Sequence, residues 1–218
     1  MAEKTFGFYR IDPDYLEYLN SADSEVYYDP SYRKAVKPFL GVTLPGGERY
    51  FIPLSSPKEK HKRWKNVAAE HLLVYEIKKK TALVSGEIYK PYSDKEAIHV
   101  LGVVDVKKMI PAPRGEYKRI EFGELEDKRY KSLFQREYKF CLKNRDKILA
   151  RVEKLRTEQI EKGVVHHWTC DFQLLEFAKE RWEKEKEKLQ QREISPVREK
   201  KPSLTLKKDR PKQMDYER

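Results

Sequence analysis

Over residues 127–162 apolar side chains recur at three- and four-residue intervals: Tyr130, Leu133, Phe134, Tyr138 and Cys141, then Ile148, Val152 and Leu155. That spacing puts them on one face and predicts a long helical region. Asn144-Arg145-Asp146 is able to split it in two, and Gly163 suits its C-terminal cap. Upstream, residues 6–10, 39–44, 49–54, 72–77, 81–85 and 98–106 are apolar or β-branched runs and predict strands. Pro45-Gly46-Gly47-Glu48 joins the second and third of these as a hairpin loop. Asp12-Pro13 opens a helix, with Asp12 as N-cap, Pro13 in the first turn, and Tyr15, Leu16, Tyr18 and Leu19 as its apolar face.

Ser56-Pro57-Lys58-Glu59 carries a capping-box signature and predicts a helix start with Ser56 at the N-cap. Residues 89–96 read as an exposed loop and 164–169 as a strand. Asp171 caps a last helix that buries Phe172, Leu174, Leu175, Ala178 and Trp182. Past Glu183 the apolar spacing fades, and Pro196, Pro202 and Pro211 sit among Lys, Arg and Glu. Too little apolar surface remains there to offset the entropy of ordering. The expected fold is α+β: a compact antiparallel β core with flanking helices and a long C-terminal helical region. It occupies residues 1–182, followed by a basic tail, 183–218, largely disordered on its own.

Charge changes the picture. The chain carries 47 Lys+Arg against 36 Asp+Glu, a net +11 in 218 residues. Such a surface attracts polyanions, nucleic acid first. No apolar run approaches the roughly 20 residues of a membrane span, and the first residues lack the apolar core of a signal peptide. A cytoplasmic protein is expected, and two unpaired cysteines, Cys141 and Cys170, suit a reducing compartment.

Candidate chemistry concentrates at the end of the 49–54 run. Ser55, Ser56 and Lys58 stand at a strand-to-helix junction, followed by Lys60, His61, Lys62, Arg63, Trp64 and Lys65. A helix start offers free N–H groups to a phosphate, hydroxyls add fixed dipoles, and lysine adds charge and a proton. Cleavage of RNA needs no metal when the 2′-hydroxyl attacks the neighbouring phosphorus. A basic run beside an aromatic suits a nucleic-acid backbone and an unstacked base, with Trp64 as the stacking platform. Tyr32, Arg33, Lys34 and Lys37 form a second basic–aromatic group; read blandly, they are a charged loop, and His61 is an exposed side chain. Ser55-x-x-Lys58 also matches the Ser-x-x-Lys of penicillin-recognising enzymes, but Ser-Asp-Asn and Lys-Thr-Gly are absent. His166-His167-x-x-Cys170 lacks the further ligands of a structural zinc site, and the carboxylates sit among lysines rather than in a magnesium cluster. No cofactor or metal is expected. Two readings compete with cleavage: a non-catalytic basic RNA-binding module and a scaffold for acidic proteins.

The chain resembles the ToxN/AbiQ toxins of type III toxin–antitoxin systems, which act in phage defence. The likeness runs through Tyr15-Leu16-Glu17-Tyr18-Leu19, Lys37-Pro38-Phe39-Leu40-Gly41-Val42, Pro53-Leu54-Ser55-Ser56-Pro57-Lys58, Leu101-Gly102-Val103-Val104-Asp105, Tyr130-Lys131-Ser132-Leu133 and Thr169-Cys170-Asp171-Phe172. The Lys-rich run after Pro57 is the AbiQ-like form. The resemblance implies a fold related to the Kid/MazF toxins and metal-independent endoribonuclease activity leaving a 2′,3′-cyclic phosphate. It also implies processing of, and inhibition by, a structured repeat antitoxin RNA with pseudoknots, within RNA-bridged closed oligomers, alongside cellular or phage RNA substrates. By position, Ser55, Ser56 and Lys58 match the family's catalytic hydroxyls and lysine, and Lys37 a basic residue before the Phe-Leu-Gly strand. Tyr32 matches a loop tyrosine once one residue is inserted; otherwise Arg33 stands there. Gln135 stands where ToxN has a functional tyrosine, beside Lys131 on the same helix.

Overall fold

A computed structural model describes residues 6–33 and 37–194. The described strands are β1 (Gly7–Ile11), β2 (Phe39–Thr43), β3 (Arg49–Ser55), β4 (His71–Lys79), β5 (Ile88–Pro91), β6 (Glu96–Asp105), β7 (Ile110–Pro111) and β8 (Tyr117–Arg119). The α-helices are α1 (Pro13–Ala22), α2 (Lys128–Lys143), α3 (Arg145–Lys162) and α4 (Phe172–Ile194). The chain is thus α+β, with an antiparallel sheet ordered β4-β6-β3-β2-β1-β8, β5 beside β6 and β7 beside β3.

Strand β3 is the pivot. One edge runs along β2 from Arg49 to Pro53. Its other edge pairs first with β7 through Tyr50 and Phe51, and then with β6 through Leu54 and Ser55. Its last residue therefore stands where two parts of the sheet meet. Burial on both faces holds β3 in place: Tyr50, Phe51, Ile52 and Leu54 are all buried. Each large apolar side chain so buried contributes about 1.5–3 kcal/mol.

Helices close over this sheet. Tyr18 Oη donates to Ala178 O at 3.1 Å, and the Trp182 ring lies 4.8 Å from that of Tyr18, locking α1 to α4. Gln159, buried on α3, accepts from the Phe172 amide and donates to Cys170 O, both at 2.9 Å, and so fixes the start of α4. Asp12 caps α1, Asn144 separates α2 from α3, and Gly163 closes α3 at φ 64°, as the sequence predicts.

Four local expectations differ. The Ser56 cap does not form: the helix there is a single tight turn, Glu59–Arg63, with Ser56 and Pro57 before it. Residues 81–85 contain the end of a short turn, Lys80–Ala82, instead of a strand, with Leu83 and Val84 exposed. The expected loop at 89–96 opens inside β5, because Ile88 is buried and Lys90 Nζ finds acceptors at Trp64 O and Asn66 Oδ1, both 2.6 Å away. Residues 164–169 are irregular: Val164 and Val165 stay exposed beyond the Gly163 cap. Leu174 and Tyr130, placed on buried faces by spacing alone, are also exposed. Helix α4 continues past Glu183 to Ile194, supported by i,i+4 pairs such as Lys179–Glu183 and Arg181–Glu185 and by Lys186–Glu116. The rest of the expected tail lies outside the described residues. No described helix is long and apolar enough to cross a membrane.

Candidate active site

A cleft of about 250 Å³ opens at the end of β3, and Lys37, Ser55, Ser56 and Lys58 all line it. Ser55 is placed by its pairing with Val103 on β6. Lys37, just before β2, donates from Nζ to Ser55 Oγ at 3.4 Å, and its ammonium lies 5.6 Å from the centre of the Tyr27 ring. Tyr27 in turn donates to Asp105 Oδ2 at 2.9 Å.

Lys58 sits on an extended residue at the mouth of the turn. Its amide donates to His61 Nδ1 at 2.9 Å, and its carbonyl accepts from the His61 amide at 2.8 Å. The side chain of His61 has taken the N–H that a helix start would have offered to phosphate. An acceptor Nδ1 means an imidazole with its proton on Nε2. Burial, then the charges of Lys60, His71 and Lys58, hold His61 below its ordinary value, in keeping with that acceptor role. His61 is 3% exposed and acts as a brace for Lys58.

Trp64 is half-buried between two imidazoles, its ring 4.5 Å from that of His61 and 4.4 Å from that of His71, with Lys60 Nζ 5.3 Å away. Both His61 and His71 lie against it, which leaves less face for a base than the sequence suggested.

Burial dominates the electrostatics. It pulls the Lys37 ammonium down to about 8; Asp105 and Glu137 oppose this and Lys58 adds to it. Burial pushes the Glu137 carboxyl up to about 8 against the pull of Arg136 and Lys37. It also raises Asp105, opposed first by the Tyr27 hydrogen bond.

Of the residues singled out from sequence, Lys37, Ser55, Ser56, Lys58, Lys60, His61 and Trp64 line one cleft. Arg33 is engaged elsewhere, with Asp14 and Glu17 beside α1. Lys62 pairs with Glu59 at 2.8 Å, and Arg63 and Lys65 are exposed outside the lining. Lys131 and Gln135 lie on α2 and do not line the cleft. Lys34 and the side chain of Tyr32 lie outside the described residues.

Three participants were not singled out: Tyr27, Asp105 and Glu137. Glu137 had a signal, since it falls between Phe134 and Cys141 on the buried face of α2. Gly102 admits it: a Cβ there would lie 2.6 Å from Glu137 Oε1 and 3.2 Å from Ser55 O. Among the described residues no three His, Cys, Asp or Glu side chains converge as metal ligands.

The family model of the toxin ToxN of type III toxin–antitoxin systems matches residues 7–180. The endoribonuclease ToxN of Pectobacterium atrosepticum is 30% identical over 172 residues, 78% of this chain and 89% of that protein. A solved structure of a bacterial antiviral system regulated by a processed non-coding RNA is 29% identical, covering 78% of this chain and 94% of that one, with a TM-score of 0.60. Another, of a type III system whose toxin is selectively inhibited by a non-coding RNA pseudoknot, is 25% identical over 81% of this chain and 96% of that one, with a TM-score of 0.61.

Proposed function

The chain belongs to the ToxN family of type III toxin–antitoxin toxins and is an endoribonuclease, and we propose that it cuts RNA without a metal, by attack of a 2′-hydroxyl on its own 3′ phosphate. The bond from O2′ to phosphorus forms, the bond to O5′ breaks, and the ends are a 2′,3′-cyclic phosphate and a 5′-hydroxyl. The observation that carries this reading is the gathering of Lys37, Ser55, Ser56 and Lys58 around one cleft, with Lys37 Nζ on Ser55 Oγ.

Ser55 and Ser56 orient the phosphate. Lys37 holds the charge that builds on the phosphorane, and Lys58, exposed at the mouth, protonates the departing O5′. Tyr32 completes the sugar-phosphate contacts. Lys60 and, outside the cleft, Lys62, Arg63, Lys65 and Lys131 grip the flanking backbone. The net charge of +11 supports steeply salt-dependent binding. The pseudoknot that inhibits one relative and the processed RNA that regulates another support a cognate repeat RNA as processed substrate and inhibitor, in an RNA-bridged closed assembly, with cellular or phage transcripts as targets. Residues 1–182 form the cleaving domain and the basic segment beyond adds RNA contacts.

Purified protein is expected to cut end-labelled RNA in excess chelator and leave cyclic-phosphate ends. Protein that binds RNA with a steep salt slope yet leaves it intact would establish the binding module instead. The charge on Lys37 adds a pH dependence. Its ammonium is present below about 8 and is lost as pH rises through that value, so kcat should fall on the alkaline side near pH 8. Lys37→Arg, which keeps its proton throughout, should retain part of the activity and remove that limb. An unmoved alkaline limb in Lys37→Arg would assign it to another group.

A further inference from the structure

Asp105 ends β6 inside the cleft, is 5% exposed, and has one oxygen in use. Oδ2 accepts from Tyr27, whereas Oδ1 is buried without a hydrogen-bond partner. A buried carboxylate oxygen without a donor is costly, so a site that keeps one is matched to a donor that arrives with the substrate. The register says where that donor sits. Ser55 pairs with Val103, and Asp105 lies two residues further along the same strand, on the same face. Asp105 is therefore the diagonal neighbour of Ser55, about 7 Å away between backbones. That separation matches the span from a phosphate held at the serine to the hydroxyl of its own ribose turned toward the carboxylate.

We propose that Asp105 Oδ1 takes the proton of the attacking 2′-hydroxyl, with Tyr27 positioning the carboxylate. This rests on the endoribonuclease reading and supplies the base that reading leaves open. As the bond from O2′ to phosphorus forms, its proton passes to Oδ1. The O5′ leaves with the proton of Lys58, and solvent restores both groups. Lys37 is unsuited to the role, because its amine is mainly charged at neutral pH and already donates to Ser55. Burial makes the carboxylate a stronger base than an ordinary aspartate; Tyr27, Lys107, Lys108, His71 and Lys37 temper this by hydrogen bond or charge.

Three proteins decide it: wild type, Asp105→Asn and Tyr27→Phe, assayed on an RNA oligonucleotide and on the same oligonucleotide with 2′-deoxyribose at the cut. Asp105→Asn should cleave about 10²–10⁴-fold more slowly. Its affinity for the uncleavable oligonucleotide should stay within about threefold, as for a base that is felt in the reaction rather than in binding. The acidic limb of kcat should vanish in Asp105→Asn and move to higher pH in Tyr27→Phe, which loses a hydrogen bond to the charged form. Folded Asp105→Asn cutting near the wild-type rate overturns the assignment. Should that variant not fold, an acidic limb unmoved in Tyr27→Phe overturns it equally. Wild type that fails to cut removes the endoribonuclease reading itself; wild type that cuts while Asp105→Asn keeps pace removes only the base.

Discussion

Lys58→Ala should lower kcat by about 10³-fold or more, with KM for RNA changed only a few-fold. Lys58 stands on an extended residue whose backbone is held on both sides by His61, so truncating its exposed side chain leaves the turn intact. Loss of a group that acts chiefly in the transition state lowers kcat and kcat/KM together. Loss of a phosphate anchor would instead raise KM. Lys58→Arg separates the two services of this amine: guanidinium restores charge but gives up its proton poorly. Partial recovery in Lys58→Arg assigns the remainder to proton donation. A Lys58→Ala protein that cuts within tenfold of wild type would remove Lys58 from the reaction. In cells, expression without the cognate RNA should halt growth for wild type and spare it for Lys58→Ala.

Glu137→Gln is expected to stabilise the protein, and to do so more as pH rises. The Glu137 carboxyl is buried beneath the cleft and titrates near 8 when folded, against 4.5 ordinarily. Between those values the folded chain holds a proton that the unfolded chain has released. Stability therefore falls as pH climbs through this window and is fully retained only below it. Glutamine keeps the shape against Gly102 and has no proton to lose. Its advantage should be small at pH 5 and reach on the order of 3 kcal/mol at pH 8. For a chain of this size that is a rise of roughly 6–12 °C in Tm. Thermal melts of both proteins from pH 5 to 8 give the answer. A difference that stays flat with pH would place the carboxyl in a wetter setting than the fold implies.

The sequence was most readable where chemistry is local. Asp12-Pro13 needs only its neighbours to start a helix, Gly163 needs only its own freedom at φ 64° to end one, and Asn144 interrupts the run between α2 and α3. The hairpin around Gly46-Gly47 follows for the same reason. Tertiary partners decided the rest. Ser56 and Glu59 have the spacing of a capping box, but the Lys58 amide, which a Ser56 cap could have bound, donates instead to the buried His61. Asp105 reads as the polar end of a buried strand until β3 is laid beside β6 and Tyr27 arrives from a distant loop. On α2 the family resemblance points to Gln135, on the exposed side, while Glu137, two residues on, is the one turned inward. A carboxylate on an apolar stripe is a deviation from pattern, and here it marks a charge buried close to the cleft that the basic run lines.

Cys141 and Cys170 are both fully enclosed, and burial drives their thiols well above the ordinary range. Alkylating reagents attack thiolate, so the native chain is silent toward them. A single cysteine engineered at the rim of the cleft would then be the sole reactive handle on the folded molecule. Fluorophores or crosslinkers attached there would report the arrival and departure of RNA without any need to strip the natural sulfurs first.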